Sequence, residues 1–233
     1  MRKEINLPFS QRDFNNFIIK EQVLGFFNEP ITLKSGRISN WYVNWRTVAE
    51  DVFLIDKLSD FVLDFVEQEQ IAFDCFYGVP EGASKLSIIS QFKLAKKSPN
   101  LAKGNYVLAM GRGKAKTHGV PKDRFFVGMP QGKVVVMEDV VTTGMSLLNT
   151  IDQLKEADVR VVAAIGLTDR MELRDDGKSV KEAVEEQGVT YYSLSRATEL
   201  LPEIVKINPP SAKIINSIEE EFENFGVEKI KLK

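Results

Sequence analysis

The chain carries a single cysteine, Cys75, and a single histidine, His118, among its 233 residues. One thiol cannot close an internal disulfide, and one Cys with one His cannot assemble a zinc site of the usual Cys/His kind. Charge of one sign is also lacking: 31 Lys and Arg stand against 33 Asp and Glu, a formal net charge of −2. A chain so near neutrality is not a nucleic-acid binder driven by bulk charge, although a local basic patch remains open. No stretch approaches the roughly eighteen apolar residues of a membrane span. Met1-Arg2-Lys3-Glu4 leads into no apolar secretory segment, so the expected compartment is the cytosol, with neither membrane nor nucleic acid as partner. Repeats, low-complexity tracts and Gly/Ser linkers are absent too. At 43% hydrophobic and 27% charged residues, the composition is that of one globular core with an appendage, not of a disordered tail or a fibre.

What is present is an alternation of strand and helix. Ser10 is placed to cap a first helix running to about Phe27, with Phe14, Phe17 and Ile18 on one face. Ile31 to Arg46 reads as an irregular hairpin around Lys34-Ser35-Gly36-Arg37. Asp51 to Gln68 is an amphipathic helix, its Leu54, Ile55, Leu58, Phe61, Val62 and Phe65 recurring every three or four residues. Strands are expected over Ala72–Val79, Tyr106–Met110, Lys133–Met137 and Val159–Leu167, and helices over Gly82–Lys96, Gly144–Glu156 and Ser179–Gln187. This cadence predicts βαβ crossovers and an open, mostly parallel α/β sheet flanked by helices. A last helix is expected to bury Ile214, Ile218, Phe222 and Phe225 while Glu219 to Glu221 and Glu223 face water. The expected division is a helix and hairpin over 1–48, an α/β core over 49–210 and a C-terminal helix over 211–233 packed on the core or the hairpin. In such sheets ligands bind at the carboxyl ends of the strands.

Val134-Val135-Val136-Met137-Glu138-Asp139-Val140-Val141-Thr142-Thr143-Gly144-Met145-Ser146 is the most informative stretch. An apolar strand ends in two carboxylates, and a hydroxyl-and-glycine turn opens a helix whose free N–H groups and positive dipole end suit an anion. Thr142, Thr143 and Ser146 add hydroxyl donors, and Gly144 lets the backbone approach a phosphate. Two carboxylates beside a phosphate cradle would repel the phosphate itself. They make sense gripping something attached to it, such as the vicinal hydroxyls of a ribose. Taken alone, Thr-Thr-Gly is an ordinary helix-opening turn. The stretch is neither a Walker loop nor a dinucleotide fingerprint, because Lys116 stands where Gly111-Arg112-Gly113 would need a third glycine.

From Gly111 to Arg124 the chain carries five basic residues, Arg112, Lys114, Lys116, Lys122 and Arg124, against one acid, Asp123. Such a run is usually a solvated face. Opposite a phosphate site, with Gly111, Gly113 and Gly119 to bend it, it suits a lid on a polyanion.

The thirteen-residue stretch resembles the ribose-phosphate motif of type I phosphoribosyltransferases, which use 5-phosphoribosyl 1-diphosphate (PRPP). Four further blocks resemble the orotate phosphoribosyltransferase family. Ile31-Thr32-Leu33-Lys34-Ser35-Gly36-Arg37-Ile38-Ser39-Asn40-Trp41-Tyr42 is similar to its N-terminal hood and Tyr77-Gly78-Val79-Pro80-Glu81-Gly82-Ala83 to its pyrophosphate loop. Arg112 to Gly119 is similar to its mobile catalytic loop, and Asp169-Arg170 to its base-binding pair. The resemblance implies a phosphoribosyltransferase fold with a small hood and the formation of orotidine 5′-monophosphate from orotate and PRPP in pyrimidine synthesis. It implies Mg²⁺ held mainly by substrate and water, with no dedicated protein metal ligands. A homodimer is implied as well, with the 111–124 loop reaching the neighbouring active site.

Carried over by position, the catalytic set is Arg112, Lys116, His118 and Asp139. PRPP falls to Lys34, Arg112, Lys114, Lys116, His118, Glu138, Asp139, Val140, Val141, Thr142, Thr143, Gly144, Met145 and Ser146. Orotate falls to Lys34, Tyr42, Thr142 and Arg170. Trp41 and Trp45 are expected to pack. The chain departs from the family pattern at Gly113 and Glu81-Gly82, where lysine and Tyr-Lys are frequent, at Asn40 for a common proline, and at Glu138 for aspartate. A phosphoribosyltransferase for another base would keep the phosphate turn and lose the orotate contacts, against which Lys34, Tyr42 and Arg170 argue; a non-catalytic PRPP sensor that binds nucleic acid should show a basic face or an added helix-turn-helix, and the sequence has neither.

Overall fold

The computed structural model describes residues 8–114, 117 and 125–232. Its centre is a four-stranded parallel sheet in the order β3-β6-β7-β8, made of Cys75–Gly78, Lys133–Val141, Arg160–Asp169 and Thr190–Arg196. Along β6 successive side chains feed opposite cores, as the pleat demands. Val135 and Met137 join one apolar cluster, and Val134 and Val136 join the other. Each fully buried side chain of this kind contributes about 1.5–3 kcal/mol.

The first cluster is covered by α1 (Gln11–Lys20), α3 (Val52–Gln68), α7 (Ala197–Ile207) and α8 (Ala212–Phe225). The second is covered by α5 (Met145–Glu156) and α6 (Val180–Glu185). Helix α4 (Ser84–Lys97) follows β3 and packs on it, and the short α2 (Arg46–Glu50) precedes α3. Two short strands, β4 (Met110–Gly111) and β5 (Phe126–Val127), pair antiparallel at the two ends of the basic loop.

Several boundaries differ from expectation. Helix α1 stops at Lys20, because Gln22 takes a φ of +52° and the chain turns into β1 (Leu24–Thr32). Val23 to Phe27 is rich in strand-favouring residues and includes Gly25, a poor helix former. It is spent on pairing with β2 (Ile38–Val43), Leu24 opposite Val43 and Phe26 opposite Trp41. The hairpin therefore starts seven residues earlier than its turn suggested, at Leu24 in place of Ile31. Strand β6 runs on past Met137 to Val141, so the acidic pair lies within the ladder, Val140 opposite Thr168 and Val141 opposite Asp169. Tyr106 to Leu108 carries no ladder, and only Met110–Gly111 is strand.

Strand β8 and helix α7 were not foreseen. Thr190-Tyr191-Tyr192-Ser193-Leu194-Ser195-Arg196 mixes aromatics with hydroxyls and shows little alternation, and α7 starts at the next residue with no loop to mark it.

Helix α8 packs on the β1–β2 hairpin. Ile214, Ile218 and Phe222 are buried, but Glu221 is buried with them, contrary to its expected place in water. The helical spacing explains this: residue 221 is three after Ile218 and seven after Ile214, so it falls on the buried stripe, whereas Phe225, expected to be buried, is exposed at the helix end. Beyond α8 the chain lies against the end of β7, with Val227 N–H donating to the Met171 carbonyl at 2.8 Å.

Candidate active site

The carboxyl end of β6 delivers the acidic pair and the turn. Gly144 caps α5 with a φ of +67°, and a Cβ there would lie 2.6 Å from a Val180 methyl, so backbone angle and space both require glycine. Among the described residues no side chain caps the helix, which leaves its first N–H groups directed at the cavity in front of it. From the loop after β7, Arg174 Nη1 donates to the Thr143 carbonyl at 2.7 Å and pins the turn. From the hairpin turn, Lys34 Nζ donates to Ser146 Oγ at 2.9 Å, closing the hood over the start of α5.

These groups surround a cavity of about 330 Å³. Its walls bring together Lys34, Tyr42, Glu138, Asp139, Val140, Thr142, Thr143, Gly144, Met145, Ser146 and Arg170, eleven of the residues anticipated from sequence. Val141 is not among them, because its side chain turns into the second core. Arg112 and Lys114 stand outside this wall. Lys116 and His118 lie outside the described residues. A larger cavity of about 620 Å³ along the edge strand β8 carries none of the turn residues and lacks their convergence of anion donors.

The acidic pair is electrostatically loaded. Burial first, and then the neighbouring Asp139, push the Glu138 carboxyl up to about 8, against the pull of Lys34. Its Oε2 is buried with no hydrogen-bond partner among the described residues. Asp139 is raised by burial as well, opposed by the backbone N–H groups of Val140 and Asp139 and by Arg46 and Lys34. A Cβ at residue 82 would overlap the Asp139 carboxylate. Gly82 therefore stands where it does because Asp139 occupies the space a side chain would need. Sequence reasoning missed two charged wall residues, Arg46 and Asp175, and read Ser35 and Glu81 only as members of the hood and pyrophosphate-loop blocks. Arg46 was read only as the end of the hairpin, whereas it opens the short α2, and its approach to Asp139 depends on how the hood folds over the sheet.

Arg170 is buried in a web of charge behind the hood. Its Nε donates to Glu172 and its Nη2 to Glu221, each at 2.6 Å, and Nη2 also reaches Ser39 Oγ at 3.1 Å. The guanidinium stacks on the Trp41 ring, 3.6 Å from its centroid. Both of its two-nitrogen edges thus have a member in use, and Nη1 keeps only a 3.5 Å contact with the Trp41 carbonyl. A two-pronged grip on a substrate carboxylate is not open to it in this arrangement. Asp169 serves the fold, accepting from Tyr191 Oη at 2.8 Å and from the Met171 N–H at 2.7 Å. Trp41 and Trp45 pack as expected, both fully buried.

No family model matches the chain. Curated relatives do. The chain is 31% identical over 180 residues to an orotate phosphoribosyltransferase of Methylococcus capsulatus, covering 76% of this chain and 79% of that protein. The chain belongs to the orotate phosphoribosyltransferase family. A second orotate phosphoribosyltransferase, from Chromobacterium violaceum, is 27% identical over 221 residues, 94% of this chain and 98% of its own length. The fold of the family is seen in the crystal structure of the Francisella tularensis orotate phosphoribosyltransferase, which matches with a TM-score of 0.66 at 23% identity over 92% of this chain and 99% of that one.

Proposed function

We propose that the chain transfers the 5-phosphoribosyl group of PRPP to a ring nitrogen of orotate, giving orotidine 5′-monophosphate and diphosphate. One juxtaposition carries this reading: Glu138, Asp139, the open N-terminus of α5 and the hood residue Lys34 surround a single cavity. The 5-phosphate sits on Thr142 to Ser146, taking backbone N–H groups and hydroxyls. The ribose hydroxyls donate to Glu138 and Asp139, which supplies the partner that Glu138 Oε2 lacks. Lys34, Tyr42 and Thr142 meet the pyrimidine, and Arg170 offers Nη1 from behind.

The bond from the anomeric carbon to diphosphate breaks with its electron pair leaving on oxygen, the ribose gains oxocarbenium character, and the deprotonated ring nitrogen bonds to the same carbon. Arg112, Lys114, Lys116 and His118 of the basic loop neutralise the departing diphosphate. Catalysis is positioning and electrostatics, with no covalent nucleophile.

The donor set fits Mg²⁺, which prefers oxygen ligands and keeps several waters. Glu138 and Asp139 are oxygen donors on the wall. They would hold the ion through substrate and water, and the bound ion would add positive charge beside the diphosphate.

The same proposal includes a homodimer in which the 111–124 loop serves the neighbouring site. Exposed Leu108, Phe125, Val127 and Met129 beside the ends of that loop support it. It also includes a division into hood (1–48), core (49–210) and C-terminal segment (211–233), and the cytosolic location expected from the sequence.

The decisive experiment incubates purified protein with PRPP, Mg²⁺ and orotate, with uracil, hypoxanthine and adenine in parallel. Orotidine monophosphate from orotate alone is expected. Product from another base would overturn the base assignment. PRPP binding without any product would replace the enzyme with a sensor.

A further inference from the structure

Behind the base end of the cavity, two guanidinium groups and two carboxylates are buried together. Arg37 donates to Glu172 at 2.8 Å, to the Leu173 carbonyl at 2.7 Å and to Asp175 at 3.1 Å. Arg170 bridges Glu172 and Glu221. Three of these charges come from the hood or the end of β7, which already frame the pocket. Glu221 is different: it comes from α8, near the far end of the chain, and does not line the cavity.

Its two oxygens nevertheless hold three groups. Oε1 accepts from Arg170 Nη2 at 2.6 Å and from the Trp41 indole N–H at 3.1 Å, and Oε2 accepts from Ser39 Oγ at 2.9 Å. Ser39 and Trp41 are on β2, and alternation places the next residue, Tyr42, on the opposite side of that strand. Trp41 is buried against α8, ring to ring with Phe222, while Tyr42 is on the cavity wall. One carboxylate therefore fixes both the strand that presents Tyr42 and the guanidinium that ends in Nη1.

We propose that Glu221 is a positioning residue for the pyrimidine half of the pocket. It sets the orientation of Arg170 and the seat of β2, so that Tyr42 and Nη1 converge on the base, while the phosphate half is left untouched. The inference rests on the orotate reading above and assigns the C-terminal helix a part in substrate selection. Nothing in the phosphate turn depends on this carboxylate, since that turn is pinned by Arg174 and by Lys34 through Ser146. The effect of losing Glu221 is accordingly one-sided.

The test measures KM for orotate and for PRPP separately in the wild type, Glu221→Gln and Glu221→Ala. Glu221→Gln is expected to raise KM for orotate about tenfold with KM for PRPP within about twofold, and Glu221→Ala to raise it further. Ser39→Ala, which removes a neutral hydroxyl and strands no charge, is expected to move the orotate value about threefold in the same direction. It decides the matter if neither Glu221 variant folds. Equal changes in both KM values, or none, would show a purely structural carboxylate and overturn the inference. A wild-type protein that makes no orotidine monophosphate would instead overturn the functional reading on which the inference stands.

Discussion

The two ends of the cavity are built in opposite ways. The phosphate end is nearly contiguous, one strand end, one turn and one helix start from Glu138 to Ser146. Distant residues only trim it: Gly82 leaves room for Asp139, Val180 closes on Gly144, and Arg174 takes one carbonyl. The base end is assembled from the hood, the end of β7 and α8, joined by buried charges. An anion can be held by backbone N–H groups that any suitable turn exposes. A flat ring needs walls from several places, and here those walls are tied by ion pairs that fail together if one partner is lost.

The hardest test of this contrast is Arg170→Ala. It leaves Glu221 buried without its ion-pair partner and Glu172 with Arg37 alone, and is expected to cost about 3–5 kcal/mol of unfolding free energy in urea. Adding Glu221→Gln should recover part of that loss; full additivity of the two changes would break the picture of one cluster. At the other end, Gly82→Ala should leave stability within about 1 kcal/mol. The new methyl overlaps the Asp139 carboxylate, however, and the displaced group should lower kcat/KM about a hundredfold. Unchanged kinetics would mean that Asp139 has no fixed task.

Glu138 adds a pH signature. Its folded pKa, about 8, lies above the ordinary 4.5, so the folded chain binds this proton more tightly than the unfolded chain does. Stability is then lost as pH rises between those values. Glu138→Gln should match the wild type near pH 4 and exceed it near pH 9, by on the order of 1–3 kcal/mol in denaturant melts. A gain that is constant across the range would contradict the assignment. The smallest effect on the fold is expected from Lys34→Ala, whose exposed hydrogen bond to Ser146 should matter by less than about 0.5 kcal/mol. The same change should raise KM for orotate and for PRPP, each by about tenfold, the worth of one charge-assisted hydrogen bond. Stability and binding would then separate at a single residue.

Legibility followed the same division. The turn Thr142-Thr143-Gly144, its acidic preface and the helices α3 and α5 could be read from spacing and turn chemistry, and eleven anticipated residues meet on one cavity wall. Strand β8 and helix α7 were missed because a strand of Tyr and Ser running straight into a helix gives neither a period nor a boundary. Glu221 was assigned to water on charge alone, although its helical position beside Ile218 and Phe222 already put it on the buried stripe. Arg46 and Gly82 had no local signal, since each matters only through Asp139.

By itself, the sequence determined the alternation of strands and helices and the place and chemistry of the phosphate turn. Periodicity, capping and the backbone freedom of glycine act over a few residues, and the chain carries them wherever it goes. Only the tertiary structure decided that Arg170 is shared between Glu172 and Glu221, the latter 51 residues away, and that Gly82 faces Asp139. Those pairings exist because separate surfaces were brought together and dehydrated, and a buried charge takes whatever partner that packing leaves within reach.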